Sequence, residues 1–381
     1  MGGWSILNDQ DIPFSKVHIF CFRPVILLIR IIHSTKSSRC SRSDIRVQLP
    51  RGRIRLVRAA SPTSPLQKPL SIFRNLALSL AAGNATIWKP ASSTSLCSIA
   101  VTKIIAGVLE ENGLPGAVAG LVSGQRDIGE ALAQSQHVDL GASSLHTFTI
   151  EFTASSVSFT GSEAAGRQVG KVVQNRFGKL LLELGGNNAS IIMPDADLSM
   201  AVPSVFFGAV GTAGQRCTST RRLYLHRSIA DKFLGSLQQM YKTVQVGDPL
   251  ADTTLLGPLH NPTAVQTFKS AVLKHHELGS SILTGGQPLP LAAFEGGNFV
   301  QPTIVVPKNP DPSSQDIWKN EVFAPILNVA IFDHLEEAIA WNNAVPQGLS
   351  SSLWTRDMRN LGKWIGPEGS DCGIVNVSTG R

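Results

Sequence analysis

The segment GTAGQRCTST, residues 211–220, places a single cysteine, Cys217, behind two glycines, a glutamine and an arginine. Such a cysteine can be a metal ligand, a structural thiol or a nucleophile. A metal site would need partners at short spacing, such as C-x2-C, and Cys217 has none. A buried structural thiol is the commonest role of a lone cysteine. Arg216 beside it, with Arg221 and Arg222 close by, favours a reactive thiolate instead, because nearby cations stabilise the anion.

A second candidate is the segment FTGSEAAG, residues 159–166, in which a predicted strand delivers Gly161 and Ser162 to the start of a predicted helix. Free backbone N–H groups and a hydroxyl at a helix N-terminus can bind an anion such as a pyrophosphate. The spacing is G-x4-G and not G-x-G-x-x-G, and glycines at such turns often serve packing alone. Both interpretations stay open from this segment by itself.

The composition fits a globular α/β enzyme, with 43% hydrophobic residues and 34 glycines among 381 residues. The net charge of +7 is unevenly placed, because residues 1–66 hold eleven Lys or Arg against three Asp or Glu and the rest of the chain is −1. A nucleic-acid role would rest on that segment alone, so we expect no nucleic-acid partner. Five scattered cysteines argue against a disulfide framework and indicate a reducing compartment.

The N-terminal 66 residues have an unusual composition. Residues 17–32 are apolar but contain two arginines and fall short of the roughly 20 residues that a membrane span needs, so we expect no membrane segment. The stretch that follows is rich in Arg and Ser, as organelle transit peptides are, but Asp9 and Asp11 precede the first cation. We expect residues 1–66 to be disordered and the protein to be cytoplasmic, with a mitochondrial location as the alternative.

From about residue 67 the chain alternates between strand-like and helical stretches. Predicted strands at residues 86–89, 117–124 and 157–160 are separated by predicted helices. This βαβα order predicts an α/β fold with a doubly wound parallel sheet, which binds nucleotides at the carboxyl ends of its strands. Residues 141–155 break the pattern with a strand-like alternation directly beside another strand. We therefore predict an insert at 141–156.

Several longer motifs are similar, in this order, to the aldehyde dehydrogenase superfamily. They are LLELGGNN (181–188), GTAGQRCTSTRRLYLHRSIADKF (211–233), VGDPLADTTLLGPL (246–259), NEVFAPILNV (320–329) and WNNAVPQGLSSSLWTRD (341–357). The amino-acid sequence of these motifs most resembles the antiquitin branch, the α-aminoadipic semialdehyde dehydrogenases. The resemblance extends over roughly residues 75–377 without the insert. The resemblance implies a Rossmann-like NAD-binding domain, placed at 67–184, and a second α/β catalytic domain, placed at 185–381.

The resemblance also implies a catalytic pair. Cys217 matches the family's nucleophile, which attacks the aldehyde carbon to form a thiohemiacetal; hydride then leaves to the nicotinamide and a thioester remains. Glu183 matches the general base that activates water to hydrolyse the thioester. By itself, such a glutamate would more often be a solvated surface charge. Thirty-four residues separate the two positions, so only the fold can bring them together.

Two positions before the catalytic pair resemble the family's nucleotide site, and a third departs from it. Lys89 of WKP matches the lysine that reaches the adenine ribose, and Ser162 after Gly161 matches the pyrophosphate serine. Lys89 could equally be a surface charge at a strand end. Ser92 stands where many members carry a glutamate that disfavours a 2′-phosphate. The resemblance therefore implies NAD as the cofactor, with NADP as an open alternative, and no metal.

The remaining matched positions surround the nicotinamide and the substrate. Glu321 and Phe323 of EVFAP match the pair that holds the nicotinamide ribose and ring, although Phe323 could be simple core. Gly185 beside Glu183 is expected to leave space for nicotinamide and water. Arg216 matches the arginine that, in the antiquitin branch, grips the carboxylate end of the small-molecule aldehyde substrate.

Three segments depart from the family pattern. SPLQKPLSIFRN, with Gln67 as the nearest amide, replaces a (W/F)-N-F-P motif whose Asn is an oxyanion donor. Residues 1–66 do not resemble the family's first strands, and GIVNVSTGR ends before the strand that pairs with a neighbouring subunit. The homotetramer implied for intact members is therefore doubtful here. Two functions stay open: NAD-dependent oxidation of a semialdehyde, or a catalytically impaired or inactive relic of such an enzyme.

Overall fold

The structure, a computed structural model, describes residues 54–59, 76–135, 156–290, 297–309, 311 and 316–378. This part of the chain forms two compact units, of which the first ends at Glu183 and the second begins at Leu184. Gln67, residues 141–155 of the predicted insert and most of the N-terminal segment lie outside the described residues. The expectations about them stay predictions.

The first unit contains a five-stranded sheet with the order β3-β2-β1-β4-β5. Its strands are β1 (Ile54–Ala59), β2 (Ala85–Trp88), β3 (Ala119–Leu121), β4 (Ser156–Thr160) and β5 (Lys179–Glu183). All neighbouring strands pair in parallel. The chain fills one side of β1 with β2 and β3 and then the other side with β4 and β5. This confirms the predicted doubly wound parallel sheet and the α/β class.

One strand corrects the sequence analysis, which expected disorder throughout residues 1–66. Residues Ile54–Ala59 form β1, the central strand, which pairs with β2 on one side and β4 on the other. The sequence IRLVRA mixes arginine with aliphatic and β-branched residues that favour strands. The expectation relied on the excess of positive charge, and it is wrong for these six residues.

Helices connect the strands of the first unit. They are α1 (Ser95–Glu111), α2 (Arg126–Gln134) and α3 (Glu163–Asn175), together with helical residues at 76–81. Gly113 follows α1 with a left-handed φ of 75°, a conformation that commonly ends a helix. Helix α3 begins at Ser162, whose Oγ accepts a hydrogen bond from the backbone N of Ala165. The predicted strand-turn-helix at FTGSEAAG is therefore present.

Residues Ser92–Glu111, which include α1, are long and apolar enough to cross a membrane by length and composition. The same helix packs on the sheet of the first unit. Its Leu109 lies in a buried cluster with Leu76 and Ala119, and Val101 packs against the buried Trp88. Other apolar residues of this helix are exposed, such as Leu96 at 83% and Ile104 at 66%, so these contacts cover only part of it.

The second unit contains a seven-stranded sheet with the order β12-β11-β6-β7-β10-β9-β8. Its strands are β6 (Asn188–Ile192), β7 (Thr220–His226), β8 (Ser281–Thr284), β9 (Thr303–Val306), β10 (Ile326–Phe332), β11 (Ser350–Trp354) and β12 (Ile374–Val377). Neighbouring strands are parallel except for the antiparallel pair β8 and β9. The strands β6 and β7, which flank the cysteine segment in sequence, are adjacent near the centre of this sheet.

In the described part of the second unit, five α-helices accompany this sheet. They are α4 (Leu198–Val210), α5 (Ala230–Lys242), α6 (Pro262–Glu277), α7 (Leu335–Asn343) and α8 (Met358–Ile365). The main core combines Leu223 and Leu225 of β7 with Phe206 of α4 and Phe233 of α5, all buried. The cysteine segment lies between α4 and β7, and both elements pack apolar side chains into this core. This packing gives the segment a rigid base.

Helix α6 buries one polar residue in its apolar face. Phe268, Val272 and His275 are the buried residues of this helix. The Nδ1 atom of His275 lies 3.3 Å from Oγ of Ser280. Burial, assisted by the charge of His276, lowers the pKa of His275 to about 4. The folded protein therefore keeps this imidazole neutral.

We expect the free energy of unfolding to fall as the pH is lowered from about 7 towards 4, by up to about 3 kcal/mol from His275 alone. The folded pKa is below the unfolded one, so between these values the unfolded chain binds a proton that the folded protein does not. Urea denaturation at several pH values measures this slope. The variant His275→Gln should flatten it, whereas His276→Gln, at the exposed neighbouring position, should reduce it only slightly, because burial is the larger cause of the lowered pKa of His275. An unchanged slope in His275→Gln would contradict the assignment.

Candidate active site

Cys217 lies in the turn between α4 and β7. After Val210 ends α4, residues Gly211–Gly214 form a short 3-10 turn in which Thr212 and Ala213 have φ values of 55° and 54°. Side chains with a Cβ rarely occupy this left-handed region. The turn is therefore strained, and its surroundings must hold it in place.

Gly214 continues the left-handed run, with φ of +65°, and lies against the chain that leads into β10. A Cβ at this position would lie 2.5 Å from the carbonyl carbon and oxygen of Ala324. Glycine is thus required both by the backbone conformation and by the close approach. Three residues later, Cys217 is exposed. The turn therefore presents the cysteine to solvent from a tightly packed base.

Asn188, the first residue of β6, attaches the cysteine turn to the sheet. Its Nδ2 donates to the carbonyl oxygens of Cys217 and Ser219, both at 2.8 Å. Its Oδ1 accepts from the backbone N and from Oγ of Ser350 on β11, each at 3.1 Å. The side chain has used its full hydrogen-bonding capacity. The sequence analysis did not single out Asn188, because the motif LGGNN does not indicate its partners.

Arg216 is half-buried next to Cys217. Its Cζ lies 5.1 Å from the ring centroid of Phe207, and its Nη2 donates to the Phe207 carbonyl at 3.4 Å. Its Nε is buried without a hydrogen-bond partner in the described part of the chain. Burial lowers the pKa of Arg216, and the negative charge of Cys217 raises it. A guanidinium with a spare donor is suited to binding an anion.

Arg221 on β7 forms an ion pair with Glu321, in which Nη2 lies 3.0 Å from Oε1. Burial lowers the pKa of Arg221, whereas the charges of Glu321 and Cys217 raise it. The backbone N of Gly186 donates to the same Oε1 at 3.2 Å. The Cζ of Arg221 also lies 5.0 Å from the ring centroid of Phe323. The two residues predicted to hold the nicotinamide ribose and ring therefore both lie against Arg221.

Gly185 lies beside the Glu321 carboxylate. A Cβ on Gly185 would be 1.9 Å from Oε2 of Glu321. The sequence analysis expected Gly185 to leave space for nicotinamide and water. The structure places the Glu321 carboxylate in the space that a side chain at position 185 would occupy.

In the first unit, the predicted residues lie at or just after the carboxyl ends of parallel strands. Lys89 follows β2 directly and is buried, Gly161 and Ser162 follow β4, and Glu183 is the last residue of β5. These ends share one edge of the sheet, which is where doubly wound folds bind ligands. The backbone N of Gly161 donates to the carbonyl of Glu183 at 3.0 Å. The predicted phosphate turn is thus hydrogen-bonded to the residue predicted as the base.

The predicted residues fall into two sets. The first unit contains Lys89, Ser92, Gly161, Ser162 and Glu183, and the second contains Gly185, Arg216, Cys217, Glu321 and Phe323. Ser92 is exposed at the start of the short turn Ser92–Thr94. Within the described ranges, no group of three His, Cys, Asp or Glu residues could hold a metal ion. The chemistry available in the second unit is that of an exposed thiol whose charge interacts with two arginines.

Comparison with known proteins identifies relatives of this chain. Residues 64–381 match the model of the aldehyde dehydrogenase family. The alpha-aminoadipic semialdehyde dehydrogenase of Bos taurus is 49% identical over 311 residues, which are 81% of this chain and 53% of that protein. Aldehyde dehydrogenase family 7 member A1 of Pisum sativum is 49% identical over 304 residues, 80% of this chain and 55% of that one. The chain spans about half the length of the curated relatives it matches.

Solved structures are similar over most of the chain. A putative aldehyde dehydrogenase from Burkholderia cenocepacia has a TM-score of 0.74 and 29% identity, covering 87% of this chain and 62% of that one. Betaine aldehyde dehydrogenase from Staphylococcus aureus, in complex with NAD+, has a TM-score of 0.74 and 26% identity, covering 86% and 60%. Both agree with the architecture described above.

We expect Asn188→Asp to lower the free energy of unfolding by about 2–3 kcal/mol and to slow alkylation of Cys217 by iodoacetamide. The substitution preserves shape, but an acceptor oxygen replaces the N–H group that faces two carbonyls. Urea denaturation and a timed mass-spectrometric assay measure the two effects. Asn261→Asp is the matched control, since among the described residues its side chain uses only Oδ1, to cap α6. Equal stability of the two variants would contradict this role of Asn188.

Proposed function

This chain belongs to the aldehyde dehydrogenase family, and from that premise we propose that it oxidises an aldehyde to the carboxylic acid with NAD as the hydride acceptor. The observation that carries the proposal is the cysteine turn, which presents the exposed Cys217 from a strained and fully anchored backbone. The relatives that carry this activity in their names are about twice as long. The activity of the present chain is therefore a proposal with a direct test.

Cys217 is the proposed nucleophile. The charges of Arg216 and Arg221 interact favourably with a negative charge on this cysteine, so both cations favour the thiolate. The thiolate sulfur adds to the aldehyde carbon and forms a thiohemiacetal. Loss of hydride from that carbon leaves a thioester on Cys217, and hydrolysis of the thioester releases the acid.

Glu183 is the proposed base for hydrolysis. It is half-buried at the end of β5, and its carboxylate would accept a proton from the water that attacks the thioester. The hydrogen bond from Gly161 to its carbonyl fixes the backbone at this position.

NAD fits the residues that the chain offers. The N-terminus of α3 at Ser162 suits a pyrophosphate, and Lys89 supplies a cation at the same edge of the sheet. In the second unit, the Glu321 carboxylate suits ribose hydroxyls and Phe323 offers an aromatic ring. NAD, when bound, accepts the hydride from the substrate carbon. Ser92 has no charge to repel a 2′-phosphate, so NADP is the alternative cofactor to titrate.

A semialdehyde with a carboxylate at its far end is the proposed substrate class. Two features support it: the half-buried guanidinium of Arg216 next to Cys217, and the similarity to proteins named for α-aminoadipic semialdehyde. A homotetramer is implied for intact family members and is doubtful for this chain. The cytoplasmic location, with a mitochondrial one as the alternative, stays a prediction of the sequence analysis. No nucleic-acid or membrane partner is proposed.

The test of this function is NADH formation by the full chain with α-aminoadipic semialdehyde. Cys217→Ala should abolish turnover, whereas Cys97→Ala, which removes another exposed thiol, should leave it unchanged. Glu183→Gln should slow hydrolysis, so that mass spectrometry detects an acyl adduct on Cys217. Absence of both turnover and adduct in the unmodified chain would favour the inactive relic.

We expect Arg216→Gln to raise KM for α-aminoadipic semialdehyde roughly 10–100-fold, the effect of losing one charge-assisted hydrogen bond. KM for hexanal, which has no carboxylate, should change by less than about threefold because no charged contact is lost. The control is Arg227→Gln, which removes an exposed arginine paired with Asp333. Steady-state kinetics with both aldehydes measures the split, and an equal rise for hexanal would contradict a carboxylate-binding role.

A further inference from the structure

Arg221 is a buried arginine with every side-chain donor occupied. Its residue exposure is 2%. Nε donates to the Gly186 carbonyl at 3.1 Å, and Nη1 donates to the carbonyls of Gly214 and Val322, both at 2.9 Å. Nη2 donates to the Arg216 carbonyl at 2.9 Å and to Oε1 of Glu321 at 3.0 Å. A guanidinium has five N–H donors, and all five are used.

These five acceptors belong to three segments that are distant in sequence. Gly186 lies in the glycine turn, Gly185 and Gly186, which precedes β6. Gly214 and Arg216 lie in the cysteine turn, and Val322 lies next to Glu321 in the segment before β10. One side chain therefore fixes the positions of these three segments relative to one another. The only charged acceptor among the five is the Glu321 carboxylate.

Arg222, the next residue of β7, is a natural comparison. It is equally buried, at 1% exposure, and it donates to the carbonyls of Asn187, Trp341 and Asn342. Its fourth partner is the hydroxyl of Tyr224. No carboxylate pairs with Arg222 within the described residues, so burial of an arginine in this sheet does not require one. Burial alone therefore does not explain why Arg221 is paired with the Glu321 carboxylate.

We propose that Arg221 is a positioning residue that holds the Glu321 carboxylate at the cofactor side of the site and so sets the affinity for NAD. This inference rests on the proposed function for the role of Glu321 toward the nucleotide. Glu321 is held from two sides, by Arg221 and by the N–H of Gly186, and Arg221 also covers one face of Phe323. Both ribose and ring contacts would then depend on one guanidinium.

Lysine cannot replace this arrangement. An ammonium has three donors around a single point, whereas the guanidinium fork reaches five acceptors in one plane. Arg221→Lys preserves the charge and removes the geometry. The variant therefore separates positioning from simple electrostatic attraction.

The first measurement is amide hydrogen exchange of the full chain without nucleotide, followed by mass spectrometry. Arg221→Lys should speed exchange at least tenfold in peptides that contain Gly186, whose N–H is bonded to Glu321. Arg222→Lys, the matched control, should speed exchange mainly around residues 341–343, where two of its three carbonyl acceptors lie, and less at Gly186, because its contact with Asn187 does not involve Glu321. Unchanged exchange at Gly186 in Arg221→Lys would overturn the proposal, whether or not the chain binds NAD.

The second measurement is NAD binding by calorimetry. Arg221→Lys should weaken binding at least tenfold but have no further effect when Glu321→Gln is already present, and Arg222→Lys should stay within twofold of the unmodified chain. Additive effects of Arg221→Lys and Glu321→Gln would overturn the proposal. If the unmodified chain binds no NAD, the proposed function fails, and so does the claim that Arg221 sets NAD affinity. The exchange result still decides whether Arg221 positions Glu321.

A milder variant covers the case in which Arg221→Lys does not fold. Gly185→Ala places a Cβ against Oε2 of Glu321 and leaves the buried guanidinium intact. Because the obstructing atoms are the end of a side chain, the chain should still fold, with a melting temperature lowered by the loss of one of the five donor contacts of Arg221. Faster exchange at Gly186 and at least tenfold weaker NAD binding would support the proposal, and normal NAD affinity with a displaced carboxylate would overturn it.

Discussion

The hydrogen bonds of one buried cation, Arg221, connect the parts of the second unit on which its chemistry depends. A charge removed from water costs several kcal/mol unless every donor finds an acceptor. Here that requirement is met mainly by main-chain carbonyls from segments far apart in the sequence. The cost of leaving any donor unpaired therefore keeps the glycine turn, the cysteine turn and the segment around Glu321 in one arrangement.

The first unit follows a different principle, in which sheet topology does the positioning. Parallel strands end at a common edge, so Lys89, Ser162 and Glu183 are brought to that edge by the order of β2, β4 and β5 alone. Their own side-chain contacts matter less for this placement. In the second unit, by contrast, side-chain hydrogen bonds such as those of Asn188 reach from one strand to the turn of another. Sheet topology positions the predicted residues of the first unit, and buried polar side chains position those of the second.

The sequence predicted the features that depend on local pattern. Periodicity and turn residues correctly located two strands, which end before Lys89 and Ser162. They also located the helix that begins within FTGSEAAG. The role of Arg221 could not be predicted, because its acceptors lie between 5 and 101 residues away and most are carbonyls, which no residue type marks. Asn188 escaped notice for the same reason. Strand β1 was misjudged because charge composition was given more weight than the aliphatic and β-branched residues within IRLVRA.

The left-handed run through Thr212 and Ala213 has a consequence for chemical probes. Such conformations cost roughly 1–2 kcal/mol for each residue with a Cβ, so a free peptide of this sequence would not hold the turn. The shape around Cys217 is then a property of the folded chain and not of the segment that carries it. A reagent that recognises the turn together with the thiol would react with native molecules and pass over unfolded ones, which makes this cysteine a reporter of how much of a preparation is correctly folded.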